Sequence, residues 1–97
     1  MMIAEIIDLV KAVTGVRVDQ LSRKMPHYYT YARYVAILLM EEQGYKNTAI
    51  AASLDISRKH THKALKRATE LLGDNELITK FYLDCGKIMA DLEEENV

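Results

Sequence analysis

The chain has 97 residues, 49% apolar and 28% charged, with one proline, four glycines and a formal net charge of −1. That length supports one hydrophobic core and leaves no room for a second domain, and the balance is that of a folded chain rather than a disordered one. No apolar run reaches membrane-spanning length, and the single cysteine, Cys85, excludes an internal disulfide and suits the reducing cytoplasm.

The first predicted helix runs from about Ile3 to Val13. Ile3, Ile6, Ile7, Val10 and Val13 recur at helical spacing, and Glu5, Asp8 and Lys11 fill the other side. The opening Met-Met-Ile-Ala-Glu lacks the basic flank of a secretory signal, so none is expected. Gly15 stops the helix. A short turn of helix is predicted at Val18–Ser22, with Val18 and Leu21 inward, and Pro26 then breaks the chain. Thr30 is a candidate cap for a third helix through Ala32 to about Gln43, with Val35, Ala36, Leu38 and Leu39 inward and Gly44 at its end.

Asn47 is a good N-cap for a short helix of small residues, Thr48 to Leu54. Asp55-Ile56-Ser57 forms the turn. Ser57 caps a further helix, Arg58 to Leu72, whose apolar face is Ala64, Leu65, Ala68 and Leu71. After Gly73, Asp74 or Asn75 caps a last helix to about Leu92. Its apolar stripe, Ile78, Phe81, Cys85, Ile88 and Leu92, suits either the chain's own core or a homodimer seam. The expected architecture is therefore all-α, a single six-helix domain.

The modest net charge hides a segregation. Residues 15–67 carry ten basic and four acidic side chains, net +6, whereas residues 68–97 carry two basic and eight acidic, net −6. A local positive field is what phosphate binding needs, whatever the total. Much of it falls on the helix that opens Ser57-Arg58-Lys59-His60-Thr61-His62-Lys63, with Lys66 and Arg67 a turn later. A short helix, a tight turn and a longer helix with donors at its N-terminal end form the helix-turn-helix pattern, whose second helix enters the major groove.

Two runs carry a resemblance to a known family. Ala32-Arg33-Tyr34-Val35-Ala36-Ile37-Leu38-Leu39, followed by Ile50 and by Ser57-Arg58-Lys59-His60-Thr61-His62, resembles the C-terminal domain of the bacterial chromosomal replication initiator DnaA. That family has an Ala-Arg-Pro-Arg-Gln-Ile-Ala run and then Gly-Arg-Asp-His-Thr-Thr at the start of its recognition helix. The register holds without insertion from Arg33 to Arg58, and the resemblance covers roughly residues 3–90. It implies double-stranded DNA as partner, with Arg33 on the backbone, His60 and Thr61 reading bases, and Arg58 and His62 flanking them. Arg23 and Lys24 would lie in the basic arm, and Lys63, Lys66 and Arg67 on outlying phosphates.

The departures bear on the target. Lys59 replaces an acidic residue of the family, so a donor stands where a carboxylate would accept from cytosine. Met25 stands where an arm arginine is expected, and Ala32 where the family has proline. The phosphate loop of an initiator ATPase, Gly-x-x-x-x-Gly-Lys-Ser/Thr, is absent. A regulator of replication or transcription is expected, either stand-alone or as one domain of a larger chain. The alternative is a protein-interaction module that kept the fold, with the last helix as its interface.

No paired carboxylates or catalytic triad suggest an enzyme, and no cofactor is implied. His60-x-His62 with Cys85 makes no metal set, since residues i and i+2 of a helix face apart. Cys85 in an apolar stripe reads as a small core residue. Tyr28, Tyr29, Tyr31 and Tyr34 read as core cover, with one hydroxyl available to a phosphate beside Arg33. Asp91 and Glu93–Glu95 read as a solvated end, with folding back onto the basic face as the alternative.

Overall fold

The computed structural model describes residues 1–20 and 26–95. Five helices occupy them, with no strand: α1 (Ile3–Thr14), α2 (Pro26–Glu42), α3 (Asn47–Leu54), α4 (Arg58–Leu71) and α5 (Glu76–Glu95). The all-α class holds, and the number of helices among the described residues is five rather than six. Residues 18–20 form a turn where a short helix was expected, while Leu21 and Ser22 lie outside the described residues.

The reason is local. Arg17 grips Asp19 with two donors, Nε to Oδ1 at 3.0 Å and Nη2 to Oδ2 at 2.9 Å. Residues two apart on a helix point away from each other, so this pairing requires a non-helical backbone between them. Between the pair, Val18 is fully buried. Just upstream, Gly15 closes α1 in the left-handed conformation at φ 79°, donating its N–H to the Lys11 carbonyl.

Proline at the start of α2 is compatible with a helix because the first N–H groups have no intrahelical partner in any case. The helix therefore begins at Pro26, and Thr30 lies inside it rather than capping it. From Val35 to Met40 every side chain of α2 is buried, the mark of a central helix covered on all sides. Contacts with all four other helices supply the cover.

A single apolar cluster results. Ile6, Ile7, Leu9 and Val10 of α1, Ile50 and Leu54 of α3, Ala64 of α4, and Ile78, Phe81, Cys85 and Met89 of α5 surround α2. Tyr28 meets Phe81 edge-on at 5.4 Å between ring centroids, and the Tyr82 hydroxyl donates to Glu42, tying α5 to α2 outside the core. The α5 stripe differs from expectation in its second half: Met89 is buried, whereas Ile88 is 38% and Leu92 40% exposed. A straight helix of 3.6 residues per turn drifts away from a repeat of 3.5, which hands the contact to Met89. The chain's own core thus uses Ile78, Phe81 and Cys85, which leaves Ile88 and Leu92 of the proposed seam exposed. Asn75 is the cap of α5, its Oδ1 accepting from the Ile78 N–H at 3.0 Å. No helix is long and apolar enough to cross a membrane among the described residues.

Candidate nucleic-acid interface

Lys46 and the basic residues of α4 lie around the junction of α3 and α4. Lys46 is the N-cap of α3, one residue before the expected Asn47. Asn47 instead reaches across to the start of α4, where its Nδ2 donates to the Arg58 carbonyl at 3.4 Å. Ala51 is buried where α3 packs against α4. The chain then reverses at Asp55, a non-glycine residue with φ 54°, a left-handed conformation that Asp tolerates better than most side chains. The Ile56 N–H donates back to the Ala51 carbonyl at 3.0 Å, which seals the end of α3.

Ser57 opens α4. Its Oγ accepts from the His60 N–H at 3.0 Å, the expected N-cap. Beyond it the helix divides sharply. Thr61, Ala64 and Ala68 are buried, while Arg58, Lys59, His60, His62, Lys63, Lys66 and Arg67 are all exposed. Small buried residues bring the α4 backbone close to α2 and leave its long side chains to solvent. Arg67 pairs with Glu70 at 3.5 Å; among the described residues Arg58, Lys59, Lys63 and Lys66 pair with no carboxylate.

Thr61 departs from the expected role. It is 1% exposed, and its Oγ1 donates to the Ser57 carbonyl at 3.0 Å, so it faces the core and cannot also meet a base edge. The spacing Thr61, Ala64, Ala68 is that of an apolar helical face, a signal its hydroxyl masked. Arg33 and His60, separated by 27 positions, are in contact: Arg33 Nη2 lies 2.8 Å from His60 Nε2. The guanidinium also lies over the ring of Tyr29 at 5.5 Å, one turn earlier on α2, and Tyr29 is 8% exposed. Of the four tyrosines, Tyr29 is thus the one beside Arg33, a pairing one helical turn apart that spacing alone could have suggested. Arg23 and Lys24, expected in the basic arm, lie outside the described residues.

Cys85 is fully buried. Burial pushes its thiol up to about 11, with Asp84 adding to the shift, so it stays protonated and inert at neutral pH. His60 and His62 join no group of three or more metal-ligating side chains among the described residues. Compared with protein families, with curated proteins and with solved structures, the chain finds no match.

Proposed function

We propose that this chain binds duplex DNA, with α3, the Asp55–Ser57 turn and α4 acting as a helix-turn-helix and α4 entering the major groove. One observation carries the reading: α4 exposes Arg58, Lys59, His60, His62, Lys63 and Lys66 on one continuous surface while its opposite face is buried. The sequence resemblance to the replication-initiator C-terminal domain supports the same docking mode, and points to regulation of replication or transcription in the cytoplasm. Arg58, Lys59 and His60 are the candidate base readers; Lys63, Lys66 and Arg67 are the phosphate contacts, with Arg23 and Lys24 assigned there by sequence.

The test is titration of a labelled random duplex at low and at physiological salt. If Lys63, Lys66, Arg67, Arg23 and Lys24 each neutralise a phosphate, log affinity falls against log salt with a slope of roughly −4 to −5. Lys63→Ala should lower affinity for every sequence and flatten that slope by about 1. Absence of binding at low salt refutes the reading. A second reading, a protein-interaction module with α5 as its interface, draws on the exposure of Leu83 (61%), Ile88 and Leu92. Apolar helix pairing shows no such salt dependence, which separates the two.

A further inference from the structure

The contact between Arg33 and His60 constrains the chemistry of the imidazole. Every hydrogen-bonding group of a guanidinium is a donor, so at 2.8 Å His60 Nε2 is the acceptor. A ring that accepts at Nε2 is neutral and carries its proton on Nδ1. Arg33 itself is held from behind by the buried Tyr29, whose ring lies 5.5 Å from the guanidinium carbon and whose hydroxyl oxygen is 3.5 Å from Nη1. The backbone of His60 is fixed independently through its N–H bond to Ser57 Oγ.

We infer that Arg33 is a positioning residue for base recognition: it fixes His60 in the Nδ1–H tautomer, so that the imidazole presents a donor and selects an acceptor on the DNA. This rests on the DNA-binding reading of α4. It also changes the part given to Arg33, from backbone contact to the orientation of a base-reading side chain. With His60 Nε2 occupied by Arg33, the side chains of the first three residues of α4, Arg58, Lys59 and His60, offer only donors to the groove. The major-groove edge that best meets a set of donors is guanine, whose N7 and O6 both accept, whereas cytosine presents its N4 donor there. The preferred site is therefore centred on a guanine-containing step.

The tautomer is read in the free protein by heteronuclear NMR of the imidazole nitrogens at mildly alkaline pH, with His27 and His62 as internal references. In the wild type His60 is expected to carry its proton on Nδ1, and in Arg33→Met to move toward the Nε2–H form. Specificity is read on duplexes selected from a random library. Arg33→Met should reduce discrimination between selected and random duplex by about tenfold, and by nothing further in a His60→Ala background, because one residue acts through the other. An Nε2–H His60 in the wild type, a tautomer unmoved by Arg33→Met, or additive losses in the double variant would each overturn the inference. A wild-type protein with the Nδ1–H form that binds no duplex at low salt overturns the DNA reading, and the role in specificity with it, while the spectra still establish the pair.

Discussion

Replacing Ser57 with alanine tests the start of α4 directly. The Ser57 hydroxyl satisfies the His60 N–H at 3.0 Å, one of the N–H groups with no partner inside the helix. Its loss is expected to cost about 1 kcal/mol, within a range of roughly 0.5–2 for N-cap serine to alanine. For a chain of this size that lowers Tm by about 4–8 °C, and it moves the urea midpoint down with an unchanged slope. Ser57→Gly leaves the N-cap conformation accessible and water free to reach the amide, so it should cost only a few tenths of a kcal/mol. The assay is thermal and urea unfolding of the three proteins side by side. Equal stability of wild type and Ser57→Ala would show that the cap does not hold α4 in solution, and would remove the support for a fixed His60 backbone. A changed urea slope would point to an altered denatured or native state instead.

Three further outcomes follow from the geometry. Asp55→Val, which places a β-branched side chain at φ 54°, should destabilise by about 1–2 kcal/mol in urea unfolding; an unchanged midpoint would mean the turn between α3 and α4 is not held in this form. Thr61→Val removes a donor to a carbonyl that already accepts the Thr61 N–H at 2.9 Å, so stability should change by less than about 1 kcal/mol. DNA affinity should stay within roughly 0.5 kcal/mol of wild type; a loss of about 1–3 kcal/mol on the preferred duplex would return Thr61 to the groove. Hydrogen bonding to Arg17 holds the Asp19 carboxyl below its usual value of 3.8. The folded state therefore gains stability from this group above that value and loses it as pH falls through and below it. Asp19→Asn should accordingly flatten the acid side of the stability–pH profile in thermal melts, and parallel profiles would assign the pair no role.

Much of this arrangement was legible from residue spacing. The isoleucine and valine pattern of α1, the glycine at its end and the cap at Ser57 each rest on local rules that the fold obeys. What escaped reading came from competition between local signals and tertiary packing. Pro26 reads as a break, yet a proline is tolerated in the first turn, and burial of Tyr29 and Ala32 extends α2 back to it. The turn at Val18 is set by an ion pair two residues apart, not by helix propensity. Thr61 has the periodicity of a core residue and the chemistry of a surface one, and packing decided it. The Arg33–His60 contact lies outside local pattern altogether: it depends on α2 crossing α4, which no spacing within either helix specifies.

Electrostatics at the start of α4 adds support to the proposal that this helix meets an anionic partner. Helix N-termini carry partial positive charge, so acidic side chains are favoured in a first turn and basic ones are not, by roughly 0.3–1 kcal/mol each. The chain obeys this rule in α1 and α5, where Glu5 and Glu76 stand in the first turn, but not in α2 or α3, whose first turns hold no acidic residue. At the start of α4 it does the reverse. That turn has no acidic residue and begins Arg58-Lys59, exposed, with Lys63 and Lys66 following on the same helix and no carboxylate paired to any of the four among the described residues. A sequence shaped by stability alone gains nothing from stacking cations on the positive end of a dipole. An anionic partner turns the same arrangement from unfavourable to favourable, because the partial charge of the helix end and the side-chain charges then act on it together. Exposed cations at the positive end of a helix, with no carboxylate paired to them among the described residues, are what a surface adapted to an anionic partner would show, which is the sense in which α4 supports the proposal.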